Sequence, residues 1–221
     1  MSKVISFATQ KGGSGKSTLS VLTATALHNR TGNKILVIDA DPQQTIYGLY
    51  TRERSKGNSY EMIFFNWRRS DEKDYQKVLS EGMKKYDVII VDVPGTMGGE
   101  EIFYSILFSD VVCVPIVPRV FDISSTIDFL KTLPAIEEKR KKTGRDFKVF
   151  GIPNKMDNTK ETNHLNKING VGGIQLFSSG LSNKVKYGRN ISTVNTITVD
   201  HVKDEFNDYF NEFITKILYN G

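Results

Sequence analysis

Residues Lys11-Gly-Gly-Ser-Gly-Lys-Ser-Thr18 follow directly on the apolar run Val4-Ile5-Ser6-Phe7-Ala8 and precede a stretch of helical character. Strand, glycine-rich turn and helix in that order make a phosphate-binding loop, and few folds can carry one. The pattern G-x-x-x-x-G-K-[ST] is met at Gly15-Lys16-Ser17, with Gln10 standing at its first glycine position. Gly12, Gly13 and Gly15 allow backbone N–H groups, with those of Ser14 and Thr18, to turn inward around phosphate oxygens. Lys16 is then expected to reach the β- and γ-phosphates, and the Ser17 hydroxyl to serve Mg²⁺. The N-terminus of the following helix adds partial positive charge to the cradle. Lys11 is a second cation in the same loop and needs a second task.

Beyond the loop, apolar runs alternate with longer amphipathic stretches. Strands are expected at Val4–Thr9, Lys34–Ala40, Tyr60–Trp67, Asp87–Asp92, Asp110–Pro115 and Phe147–Ile152. Helices are expected at Lys16–Asn29, Gln43–Arg54, Glu72–Lys85, Ile123–Lys142 and Asp200–Leu218. Asp87–Asp92 and Asp110–Pro115 are continuously apolar, as in strands buried on both faces of a parallel sheet. The alternation predicts an α/β fold: one doubly wound, mostly parallel sheet with helices on both faces, and the site at the carboxyl ends of the strands. Between Thr159 and Asn195 periodicity says little; Ile174–Phe177 and Val185–Tyr187 are expected as short strands.

The 221 residues suit one domain spanning 1–221. No apolar run approaches the ~20 residues of a membrane span, and no signal segment is expected. Cys113, the single cysteine, lies inside an apolar run and is expected as a core residue in a reducing, cytoplasmic setting. The net charge of +5 permits an anionic partner without establishing one.

Three aspartates end expected strands. Ile35-Leu36-Val37-Ile38 runs into Asp39-Ala40-Asp41-Pro42-Gln43, and Val88-Ile89-Ile90-Val91 into Asp92-Val93-Pro94-Gly95. A triphosphate with Mg²⁺ needs a carboxylate for the metal and a group that orients the attacking water. Asp92 suits the metal, with Asp39 supporting its shell, and Asp41 suits the water. Gly95 can offer a backbone N–H to the γ-phosphate.

On these residues the chain resembles the ParA/MinD family of deviant Walker ATPases, and within it small ParA partition proteins. Lys11–Thr18 is similar to the deviant loop, Asp39-Ala-Asp-Pro-Gln43 to the second motif, and Tyr86–Pro94 to the Walker B segment. Ser109–Pro118 followed by Phe121 resembles the strand and turn beyond. The resemblance implies that Lys11 crosses a nucleotide-sandwich homodimer to the partner's phosphates. It also implies slow ATP hydrolysis, ATP-dependent non-specific DNA binding, nucleoid association and a ParB-like partner, without the operator-binding domain of large ParA proteins.

Pro153-Asn154-Lys155-Met156-Asp157 is similar to the Asn-Lys-x-Asp guanine reader of GTP-binding proteins, whereas in this family the same strand end lines the adenine pocket, with Asn154 as a base contact. ATP is the expected nucleotide, and GTP stays open. Lys184, Lys186 and Arg189 are the first candidates for DNA phosphates, and Lys139–Lys142 the second. A MinD-like membrane helix is not expected: the last helix pairs its apolar stripe with an acidic face. A ligase resembling dethiobiotin synthetase is the alternative on the same scaffold.

Overall fold

The computed structural model describes residues 2–58, 60–95, 99–157, 159–183, 185–189, 191–196 and 200–219. The strands are β1 (Lys3–Phe7), β2 (Ile35–Asp39), β3 (Glu61–Phe64), β4 (Val88–Asp92), β5 (Val111–Ile116), β6 (Lys148–Met156), β7 (Gln175–Leu176) and β8 (Leu181–Ser182). The helices are α1 (Lys16–Thr31), α2 (Thr45–Glu53), α3 (Glu72–Met83), α4 (Glu100–Leu107), α5 (Val120–Leu130), α6 (Leu133–Lys141), α7 (Val185–Arg189) and α8 (Asp200–Phe213). They form a single parallel sheet in the order β3-β2-β4-β1-β5-β6-β7, with β8 pairing β6.

The continuous apolar strands are explained by two cores. Side chains alternate across the pleat, so Ile5, Phe7, Val37, Ile90, Cys113 and Ile152 face one way and pack against α1 and α8. Val4, Ala8, Ile38, Val91, Val112 and Val114 face the other and pack against α3, α5 and α6. Cys113 is fully buried, and burial pushes its thiol well up. The apolar stripe of α8 is spent inside the first core: Phe206, Tyr209, Phe210 and Phe213 are at most 2% exposed. Arg30 of α1 lies over the Phe206 and Phe210 rings, and Thr23 of α1 shares a 2.7 Å hydrogen bond with the Tyr209 hydroxyl. Lys3 Nζ donates to the Ile217 carbonyl at 2.6 Å, tying the first strand to the π-helical segment Ile214–Tyr219 that follows α8. Among the described residues, no helix is long and apolar enough to cross a membrane.

The structure departs from the expected elements in several places, four of which bear on the site or its surroundings. The helix expected over Ile123–Lys142 is two helices, because Pro134, near the start of α6, cannot donate to the carbonyl one turn back. Val185–Tyr187 is not a strand but lies in α7. There the Tyr187 ring is buried in the first core and its hydroxyl donates to Glu205 at 2.8 Å, so tertiary contact outweighs β-propensity. Helix α4 was not expected, although Glu100 and Glu101 occupy its first turn as a helix N-terminus favours. Strand β3 stops at Phe64, and a tight turn at Trp67–Arg69 follows, capped by the Asn66 side chain accepting from Arg68 N.

Arg140 ties together the segments that enter β5 and β6, at the end of the sheet away from the loop. It is 3% exposed and donates to the Asp146 and Leu107 carbonyls and to Asp110 Oδ1 at 2.7 Å. Arg140→Ala leaves these acceptors unpaired and should cost about 2–3 kcal/mol, discounted because Asp110 is partly exposed. A urea-unfolding midpoint unchanged from wild type would contradict this role.

Candidate nucleotide site

Strands β1, β2 and β4 lie side by side, and their register sets the site. Phe7 pairs with Asp92 across β1 and β4, and Asp39 pairs with Asp92 across β2 and β4. The two carboxylates are therefore neighbours at the carboxyl ends of adjacent strands, beneath the loop that leaves β1. The chain passes Gly13 at φ 72° and Gly15 at φ 99°, left-handed values that favour glycine, and enters α1 at Lys16. A Cβ on Gly15 would overlap the Asn154 amide, so the absence of a side chain there lets β6 close against the loop.

Lys16 is buried at 6% exposure, with burial lowering its pKa and Asp92 and Asp41 opposing that shift. Asp92 is buried and pushed up to about 7, chiefly by burial; the neighbouring Asp39 adds to the rise, while a Ser17 hydrogen bond and Lys16 oppose it. Ser20 Oγ also donates to Asp92 at 3.3 Å. Asp39 is raised to about 6 by burial and accepts from Asp41 N at 3.1 Å and Tyr47 N at 2.9 Å. Asp39 thus shapes the 39–47 turn, while Asp92 sits with the Ser17 hydroxyl. Asp41 accepts from Gln43 N at 2.9 Å and is only half-buried.

These groups open into a cleft of about 570 Å³ lined by Gly12, Gly13, Gly15, Lys16, Ser17, Thr18, Asp41, Gly95 and Arg68 among others. Gly95 closes over the loop: a Cβ on it would stand 2.9 Å from Lys16 Nζ. Arg68, delivered by the turn after β3, was missed in the sequence; nothing local marks it, because it reaches the cleft through β3 pairing with β2. Among the described residues no cluster of three or more His, Cys, Asp or Glu could hold a metal. One buried carboxylate with an adjacent serine hydroxyl fits Mg²⁺, which completes its shell with water and substrate phosphates.

Lys11 does not line this cleft. Its Nζ pairs with Asp122 in the first turn of α5 at 2.8 Å, and its side chain is 45% exposed. A second cleft of about 340 Å³ lies on the other side of the loop, lined by Gly15, Thr18, Asn154, Lys155, Ser182, Asn183, Tyr187 and Arg189. Asn154 Nδ2 donates to the Ser14 carbonyl at 2.7 Å, and Lys155, at φ 55°, donates to the Gly13 carbonyl at 2.6 Å. The end of β6 thus braces the phosphate loop from outside. Asp157 pairs with Arg119 at 2.7 Å and also bonds Asn183. Of the DNA candidates, Arg189 is exposed at the mouth of this second cleft, Lys186 lies in α7, and Lys184 falls outside the described residues.

Residues 5–193 match the CobQ/CobB/MinD/ParA nucleotide-binding domain. The chain belongs to that family. Its members from ParA to MinD are nucleotide-binding ATPases, and the present chain has their fold. A Borrelia burgdorferi B31 protein described as a plasmid partition protein, bound to AMPPNP, is similar over 98% of this chain and 100% of its own, at 21% identity and TM-score 0.74. An ATP-bound McdA variant of Cyanothece is similar over 96% and 95%, at 14% identity and TM-score 0.70. Cobyrinic acid a,c-diamide synthase of Mycobacterium smegmatis, with ADP and magnesium, is similar over 87% and 92%, at 19% identity and TM-score 0.66. At such identities these structures share the fold. No curated protein matches the chain in sequence.

Lys16→Ala should abolish nucleotide binding, read by titration with a fluorescent ATP analogue; retained tight binding would remove Lys16 from the phosphate site. The raised carboxylates also set a pH dependence. Asp39 and Asp92 hold protons in the folded state up to about 6 and 7, whereas the unfolded chain loses them near the ordinary 3.8. The nucleotide-free protein should therefore lose stability as pH rises from about 4 to about 7. Asp92→Asn should flatten that slope in urea unfolding at pH 4.5 and 7.5, and an unchanged slope would sink the assignment.

Proposed function

We propose that this chain is a Mg²⁺-dependent ATPase of the ParA kind, a switch that closes into a homodimer around ATP, holds DNA non-specifically and lets go on hydrolysis. The observation that carries the reading is the division of labour between two lysines of one loop. Lys16 is buried in the phosphate cleft, while Lys11 points out of it toward solvent and Asp122. A loop cation that does not serve its own cleft is free to serve the phosphates of another.

In this reading the loop N–H groups and Lys16 bind the triphosphate, and Lys155 and Asn154 keep the loop in shape. Ser17 and Asp92 would hold Mg²⁺, with Asp39 fixing the turn that carries Asp41. The metal, when bound, supplies charge neutralisation at the β- and γ-oxygens. Asp41, half-buried at the cleft wall, is the group that orients the attacking water. Gly95 stands against Lys16, so its loop senses whether the γ-phosphate is present. The affinity for Mg²⁺ should fall as pH drops through the raised Asp92 value, because proton and metal compete for one carboxylate.

DNA is the proposed partner, together with a ParB-like activator, in partition of a plasmid or other mobile element. Arg189, Lys186 and Lys184 are the proposed phosphate contacts, and ATP-bound protein would sit on the nucleoid. Partition-type relatives among the similar folds support this reading, and the bound AMPPNP and ATP in two of them support the adenine nucleotide.

The test is retention on non-specific duplex DNA with ATP, AMPPNP, ADP, GTP or no nucleotide across a salt series. Retention with ATP and AMPPNP alone, lost steeply as salt rises, is expected. Asp41→Ala should slow turnover at least tenfold and prolong retention, whereas Lys11→Ala should bind ATP yet fail to stay on DNA. Indifference to DNA under every nucleotide would overturn the switch and favour a small-molecule ligase on this scaffold.

A further inference from the structure

The start of α5 carries two features that the phosphate site leaves unused. Phe121 is 87% exposed and Val120 62%, side by side; among the other described large apolar residues only Tyr219, at 79%, is as exposed, and it lies on another element. The next residue, Asp122, is only 14% exposed and holds Lys11 at 2.8 Å. Asp122 sits in the first turn of its helix. One short segment therefore presents an apolar contact to solvent and restrains the outward-pointing loop cation.

We propose that Val120 and Phe121 form the apolar anchor by which a second copy of this chain docks beside the nucleotide mouth, and that Asp122 holds Lys11 until that copy's phosphates replace it. The inference rests on the nucleotide-dependent dimer proposed above and names its contact surface and its restraint.

The occupant follows from charge. Lys11 and the apolar pair share one edge, so a partner must bring an anion next to an apolar surface. A nucleotide-loaded copy does both: its triphosphate would occupy a cleft walled by Gly12 and Gly13, the residues directly after Lys11, and Lys11 itself meets Asp122 next in sequence to the exposed Phe121. A two-fold arrangement lets each copy meet the same patch of the other. Docking exchanges a half-exposed lysine–carboxylate pair, weak in water, for contact between Lys11 and a multiply charged phosphate chain shielded from solvent. Without nucleotide there is no anion to draw Lys11 from Asp122, and the apolar anchor by itself is too small to hold two copies together. Asp122 thus makes dimerisation conditional on the ligand.

The test is sedimentation equilibrium with AMPPNP and Mg²⁺, alongside nucleotide affinity measured at concentrations where the protein is monomeric. Phe121→Ser should weaken the dimer tenfold or more, consistent with loss of a buried aromatic contact, and leave monomer nucleotide affinity unchanged. Asp122→Asn should tighten the dimer several-fold, because two restraints are released per dimer. A Phe121→Ser dimer as tight as wild type would overturn the anchor, and an unchanged or weaker Asp122→Asn dimer would overturn the restraint. Wild type that stays monomeric with AMPPNP, or dimerises equally without it, would overturn the switch reading and this inference together. Because Phe121 is almost fully exposed, its replacement leaves the cores untouched, and retained nucleotide binding certifies the fold.

Discussion

A buried ammonium facing buried carboxylates is the constraint around which one end of this sheet is organised. Lys16, Asp92 and Asp39 are each nearly or fully removed from water. Each alone would be costly there, and together they balance only in part, which is why both carboxylates take up protons well above their ordinary range. The remaining negative excess is what a bound cation would offset. Ligand binding and stability of the strand ends are therefore one electrostatic problem. The parallel register of β2 and β4 sets it by placing Asp39 beside Asp92.

Bracing of the loop comes from farther along the chain. Asn154 and Lys155 at the end of β6 hold the Ser14 and Gly13 carbonyls, and the missing side chain of Gly15 makes room for them. Asp157 turns away to Arg119 beside α5, and Lys11 reaches Asp122 three residues on in the same segment. The stretch from Arg119 to Asp122 thus touches the loop at Lys11 and, at Asp157, the end of the strand that braces it. A carboxylate engaged by an arginine is poorly placed to read guanine, which agrees with the adenine nucleotide proposed here.

The parts legible in the sequence were those written locally. The loop, its helix and the two aspartates that end β2 and β4, with Asp41 two residues beyond β2, depend on spacing within short windows, and the apolar strands announced their two-sided burial. The break at Pro134 was also written locally, yet the helical periodicity on either side concealed it. Contacts set by topology were not legible. Arg68 reaches the cleft through the pairing of β3 with β2, Asp122 meets Lys11 across β5, and Val185–Tyr187 folds as helix because Glu205 and the core claim Tyr187. β-branched and aromatic residues there carried a strand signal that tertiary packing outweighed.

The joint between α1 and α8 has a consequence for biogenesis. Thr23 lies on the helix that begins in the phosphate cradle, and its partner Tyr209 comes 186 positions later; Lys3 waits for Ile217, 214 positions on. During translation the loop leaves the ribosome early, but one side of its helix stays bare until α8 arrives. Until α8 docks, the apolar face of α1 that receives its aromatic side chains is uncovered, a surface that chaperones engage.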